Sequence, residues 1–124
     1  MKKVTLLLSL LVLSSLLLSA CGAGAGANTI KVGVVAELTG DIPAVGASCK
    51  NAAEMAVKEI NDAGGLEVAG KKYTIELFIE DNAGKADQSA SAAQKLITQQ
   101  EVVAIIGPNA SRYAIPAAEI AESS

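Results

Sequence analysis

Three short apolar runs, each followed by a segment whose apolar residues recur at helical spacing, constrain this chain more than any other feature. The run Ile30 to Ala36 (IKVGVVA) is bounded by turn residues and mostly apolar, the pattern of a strand buried on both faces. From Ala47 to Asn61 the period changes to 3.6, with Ala53, Ala56, Val57 and Ile60 at i, i+3, i+4 and i+7. Lys50, Glu54 and Lys58 form a separate, solvated stripe in which Glu54 ahead of Lys58 is the favourable order for an ion pair. Cys49 falls in the apolar register and reads as a small buried residue. Asp62-Ala63-Gly64-Gly65 ends the helix, because glycine accepts the left-handed conformation that follows one.

Tyr73 to Glu80 (YTIELFIE) alternates, with Tyr73, Ile75, Leu77 and Ile79 on one face and Thr74, Glu76, Phe78 and Glu80 on the other. Its second face is more polar, which suits a strand at a sheet edge. After Asp81-Asn82-Ala83-Gly84, a second helix carries Ala86, Ala90, Ala93 and Ile97, with Leu96 beside them. Val102 to Ile106 (VVAII) is apolar throughout and is expected to be a central strand. Gly107 to Ser111 leads into a last helical segment with Ile115, Ala118 and Ala121 spaced by three, where Pro116 sits either at the first helical position or at a cost inside an early turn. Strand, helix, three times over, predicts an α/β fold with a parallel sheet, right-handed crossovers and helices on both faces. A parallel sheet that ends on a central-type strand leaves an open edge that invites further strands, so Ser124 is expected to be a truncation point.

The amino terminus has a different character. Met1-Lys2-Lys3 precedes an apolar run to Leu18 and the small residues Ser19-Ala20-Cys21, the order of a leader that is cleaved away, with no basic stop-transfer flank after it. The Leu-Ser-Ala-Cys ending resembles the lipobox of bacterial lipoproteins, which implies a signal peptide over residues 1–20 and a diacylated Cys21. Two acyl chains anchor firmly where one does so only marginally. Residues 21–29 then read as the lipidated cysteine and a flexible Gly/Ala tether. Loss of Lys2 and Lys3 leaves eight basic residues against thirteen acidic ones, a net charge of −5. Nothing basic is clustered for a nucleic-acid partner.

The chain has no histidine, and once Cys21 is committed only Cys49 remains. Histidine-based acid–base catalysis, Ser-His-Asp triads and ordinary zinc sites are thereby excluded from this stretch, and no cofactor or metal is expected. Ligands of open α/β sheets bind beyond the carboxyl ends of the strands, where the strand order reverses. With a strand order 2-1-3, the loops Leu38–Gly46 and Gly107–Ser111 flank that reversal, and Asp81–Lys85 lies beside them. Both flanking loops lead into helix starts, whose free N–H groups favour a carboxylate. Ser111 is placed either to donate its hydroxyl to a ligand there or to act as a plain N-cap. LTGDIPAVG fits neither G-x-G-x-x-G nor a P-loop, IGPNASRY lacks the glycines of a nucleophile elbow, and Asn109-Ala110-Ser111 matches a glycosylation sequon of a kind common by chance.

Taken in order, IKVGVVAELTGDIPAVGASCKNAAEMAVKEINDAGG, ELFIEDNAGKADQSASAAQKLI and VVAIIGPNAS resemble the opening lobe of the branched-chain amino-acid-binding type of periplasmic solute-binding protein. The likeness covers residues 30–124. It implies the N-terminal part of a type I lobe, with a second lobe missing from this chain and a ligand enclosed by closure about a hinge. It further implies a non-enzymatic protein that delivers an amino acid or similar small carboxylate to an ABC permease, outside the cytoplasm and held on a membrane by its lipid. By position, Ser111 corresponds to the serine that hydrogen-bonds the ligand carboxylate, with Asn109 and Ala110 supplying neighbouring amides. Val45 corresponds to an apolar wall, with Thr39 and Gly40 shaping the first loop. Ala83 and Ala110 stand where some members carry a disulfide. A receptor module built on the same lobe, and a lipoprotein enzyme with catalytic residues after Ser124, are the alternative readings.

Overall fold

In a computed structural model the structure describes residues 28–124; the leader and Cys21 lie outside the described residues. Four strands and three helices follow: β1 (Thr29–Ala36), α1 (Pro43–Asp62), β2 (Leu66–Val68), β3 (Lys71–Asp81), α2 (Ala86–Lys95), β4 (Ala104–Ile106) and α3 (Ser111–Glu122), with a π-helical turn at Leu96–Gln100 between α2 and β4. The sheet order is β2-β3-β1-β4. β3, β1 and β4 are parallel, so the expected 2-1-3 order holds for the three strands anticipated.

β1 is the axis. Val34, Val35 and Ala36 have no exposed surface, as a strand covered on both faces requires. Val34 and Ala36 pack with Ala53 of α1 and with Leu38, Cys49, Leu77 and Ile79. On the other face Val35 packs with Ala92 and Leu96, joined by Phe78, Val102 and Ile105. The helices therefore lie on both sides of the sheet, and α3 rests against α2. The far end of α1 is docked by Asn61, whose side chain donates to the Ile75 carbonyl and accepts from the Ile75 N–H, both at 2.8 Å.

Several expectations are corrected. The sheet is not wholly parallel, because β2 pairs antiparallel with β3 through a tight turn at Ala69 and Gly70, both at positive φ. That turn geometry normally announces itself with Asn-Gly or Asp-Gly, and alanine in the first place hides it. β3, read as an edge strand, is paired on one side with β1 and over its first residues with β2. β4, read as central and as starting at Val102, forms the described edge and starts at Ala104, leaving Val103 76% exposed. The Val102 N–H turns back to the Leu96 carbonyl while its side chain packs into the core, so the ladder opens later. α1 begins at Pro43, which places Val45 and Gly46 in a helix and not in a loop. Of the two placements open for Pro116 the interior one holds, at the sixth residue of α3. Lys50 pairs with Glu54, and Lys58 pairs with Asp62 and not with Glu54, an arrangement that gives each lysine a carboxylate of its own.

Gly46 is buried in α1 where a Cβ would lie 2.2 Å from the Glu37 carbonyl oxygen. Backbone cannot yield as a flexible side chain can. Gly46→Ala is therefore expected to destabilise the protein by about 1–3 kcal/mol or more, read as a lower urea midpoint at unchanged slope; an unaltered midpoint would contradict the close approach of α1 to β1.

Candidate functional site

The strand order reverses between β1 and β4, so the crevice predicted for a ligand lies beyond their carboxyl ends. The chain leaves β1 through Glu37-Leu38-Thr39-Gly40-Asp41 and leaves β4 through Gly107-Pro108-Asn109-Ala110 into α3. Three carboxylates sew these loops together.

Glu37 has no exposed surface. Its Oε1 accepts from the N–H groups of Asn109 (3.2 Å) and Ala110 (3.4 Å), and its Oε2 accepts from the Asn109 side-chain amide at 3.0 Å. Burial pushes this carboxyl up, but the Asn109 amide, its own N–H and the N–H groups of Ala110 and Asn109 together hold it below the usual glutamate range. The second carboxylate, Asp81, stands at the end of β3 and accepts from Leu38 N–H (3.0 Å), Thr39 N–H (3.2 Å), the Thr39 hydroxyl (2.6 Å) and Ala83 N–H (2.8 Å). Desolvation opposes its ionisation, and the Thr39, Ala83 and Leu38 donors outweigh it, so Asp81 also lies below its ordinary value. Asp41 accepts from the Tyr113 hydroxyl at 3.1 Å and from the Arg112 guanidinium, which stacks on the Tyr113 ring 4.6 Å from its centroid. The first loop is thus tied to β3 through Asp81 and to the start of α3 through Asp41 and Glu37.

The residues expected to meet a ligand are brought to this one end of the sheet, but in unequal states. Thr39 spends its hydroxyl on Asp81, and Asn109 spends its amide on Glu37, so both hold the loops in place. Gly40, at φ +96°, passes so close to the Ala83 carbonyl oxygen that a Cβ would stand 2.5 Å from it. Val45 is 46% exposed in the first turn of α1. Ala110 is the N-cap of α3 and has no side chain to cap with, while Ser111 is the exposed first helical residue. The N-cap reading of Ser111 is therefore corrected: the loop geometry starts the helix one residue earlier than that reading needs. Tyr113 and Ala114 N–H groups both go to the Ala110 carbonyl. Cys49 is half-buried against the α1 core, and among the described residues no group of His, Cys, Asp and Glu is arranged to hold a metal.

Glu37, Asp41, Asp81 and Tyr113 were not singled out from sequence. The available signal was a carboxylate immediately after each of two apolar strands, VVAE and LFIED, which a solvated strand end does not distinguish from a buried staple.

A family model described as periplasmic binding protein matches residues 29–124. The chain is 40% identical over 91 residues to the Leu/Ile/Val-binding protein BraC3 of Rhizobium johnstonii, covering 73% of this chain and 23% of that one. Among solved structures it is similar to the branched-chain amino acid transporter substrate-binding protein LivJ from Streptococcus pneumoniae in complex with isoleucine, at 36% identity and a TM-score of 0.70 over 77% of this chain and 26% of that one. It is likewise similar to a solute-binding protein of an ABC transporter from Rhodopseudomonas palustris in complex with 3,4-dihydroxybenzoic acid, at 34% identity and a TM-score of 0.64 over 77% and 24% of the two chains. The chain spans about a quarter of the length of the relatives it matches.

The carboxylate stitching has a pH signature. A carboxyl held below its ordinary value in the folded state binds fewer protons than in the unfolded chain, so it stabilises above the unfolded value and that contribution is lost as pH falls. Acid destabilisation is expected to begin near about pH 4, and Asp81→Asn is expected to flatten the decline; parallel stability curves for the two proteins between acid and neutral pH would remove Asp81 from this role.

Proposed function

The chain belongs to the periplasmic binding protein family, and on that footing we propose that its protein captures an amino acid, with a branched-chain one first in line, or a related small carboxylate, for an ABC importer. The observation that carries the reading is the exposed Ser111 at an uncapped helix start, set at the point where the strand order reverses. The two solved relatives hold isoleucine and 3,4-dihydroxybenzoic acid. Those ligands share a carboxylate and differ in everything else. A first lobe common to both therefore suits recognition of the carboxylate, by the Ser111 hydroxyl and by N–H groups at the start of α3, where the helix dipole favours an anion.

Thr39 and Gly40 shape the first loop, Val45 offers an apolar surface, and Asn109 and Ala110 hold the turn before Ser111. The rest of the pocket and the second lobe belong to the length that relatives have in addition to this chain. Closure of that lobe would exclude water and complete selectivity, and tighter binding to the closed state is what moves such a hinge. On this reading the protein is a binder and not an enzyme, as the matched relatives are described. It acts outside the cytoplasm and hands its ligand to membrane permease subunits. Residues 1–20 act as the leader and Cys21 as the lipid attachment point that keeps the binder at the membrane.

Calorimetric titration of the full-length protein with amino acids and small aromatic carboxylates should find one tight class. Ser111→Ala should weaken it by about 10- to 150-fold, the worth of a hydrogen bond to a charged group. A folded protein silent toward the whole panel would sink the ligand class. Cys21→Ser is expected to move the protein from the membrane fraction to the soluble one and to abolish incorporation of labelled fatty acid, whereas unchanged membrane association would rule out the anchor.

A further inference from the structure

We infer that Glu37 is a positioning residue for ligand capture: its buried carboxylate holds Asn109 and Ala110 so that α3 starts in one fixed place and presents the Ser111 and Arg112 N–H groups outward. The inference rests on the carboxylate-binding role proposed for Ser111 and deepens it.

Glu37 meets Asn109 and Ala110 across more than seventy residues of chain, and every partner it takes is a donor. One oxygen receives two backbone N–H groups and the other receives the Asn109 amide. An ionised carboxylate accepts at both oxygens, whereas a glutamine would have to turn an NH₂ group toward a donor. An apolar residue would take from the two part-buried N–H groups and the Asn109 amide the partner they have inside the protein. The arrangement therefore asks for this side chain in this charge state.

What it controls follows from the helix start. The first N–H groups of a helix have no intrahelical partner. In α3 the Asn109 and Ala110 N–H groups just before it are taken by Glu37, and those of Tyr113 and Ala114 go to the Ala110 carbonyl. The Ser111 and Arg112 N–H groups fall between these two sets, beside the exposed Ser111. Because Ala110 supplies no side-chain cap, the turn is set from across the sheet by Glu37 and not by its own sequence. Glu37 itself stays out of reach of a ligand, since both its oxygens are engaged and it has no exposed surface.

The test uses the ¹⁵N-labelled full-length protein, with L-leucine, L-isoleucine, L-valine and 3,4-dihydroxybenzoate as probes. In Glu37→Gln, the Asn109 and Ala110 amides should lose protection from exchange, the Ser111 and Arg112 resonances should move, and affinity for whichever probe binds should fall by about 10-fold or more. Adding Asn109→Asp to Glu37→Gln re-creates a complementary pair, since the new amide can donate to the new carboxylate, and protection of the two amides should return. A folded Glu37→Gln protein with unmoved Ser111 and Arg112 resonances and unchanged affinity overturns the inference. If wild type binds none of the four probes while the amides respond as described, the positioning stands and the proposed ligand class falls. Should Glu37→Gln fail to fold, Asn109→Ala, which removes only the side-chain contact, should shift the same resonances by less, and no shift there overturns the inference equally.

Discussion

The rest of the structure depends on the complete burial of β1. A strand whose Val34, Val35 and Ala36 are sealed from solvent needs a helix against each face and a neighbour along each edge. α1 and α2 answer the first need and β3 and β4 the second. Chain order then dictates that β3 lies on one side and β4 on the other, because each crossover packs back on the sheet with the same hand. The reversal that opens a crevice at the carboxyl ends is thus a by-product of covering one apolar strand. Glu37 extends the same constraint by one residue. It remains in the sealed region after the strand has ended, and a charge there persists only if donors surround it.

The crevice is held by carboxylates at strand ends. Asp81 gathers the first loop, Glu37 gathers the turn before α3, and Asp41 joins the two through Tyr113 and Arg112. Where the resemblance points to a disulfide in some relatives, this chain has Ala83 and Ala110, and both alanines sit within reach of this network through their N–H groups. Hydrogen bonds to ionised groups are stronger than neutral ones, so two loops can be held without a covalent link. The difference is in pH response: a disulfide ignores acid, and this network does not.

Much of the fold was legible because hydrophobic period and strand burial are local facts. IKVGVVA, the 3.6 spacing from Ala47 to Asn61 and the order of the three parallel strands all carried through. What escaped was decided by contacts distant in sequence or by unusual turn residues. Alanine at φ 50° in the β2–β3 turn gives no hairpin signal. Val102 is apolar enough for a strand, yet the π-helical turn before it sends its N–H back to Leu96. Glu54 has a lysine one turn away on each side, and spacing alone does not choose between them. The position of the candidate site was legible from topology, whereas the carboxylates that engage Thr39 and Asn109 were not. Thr39, expected to shape the first loop, gives its hydroxyl to Asp81, and Asn109, expected to offer an amide near a ligand, gives its side-chain amide to Glu37, partners that sequence proximity does not connect.

The start of α3 makes the physical reason plain. A helix N-terminus is recognised in sequence by a capping side chain, and removing such a cap commonly costs about 1 kcal/mol. Here the cap position is Ala110, and Ser111, the residue that looks like a cap, is the first residue of the helix. Glu37, one residue past β1, instead binds the two N–H groups before the helix, which fixes the turn while leaving the first helical N–H groups uncapped and the serine hydroxyl uncommitted to capping. A local cap would have consumed the hydroxyl of Ser111 in holding its own helix. A carboxylate supplied from the end of β1 separates the two tasks, so that the group that fixes the turn is sealed inside the protein and the serine hydroxyl stays exposed.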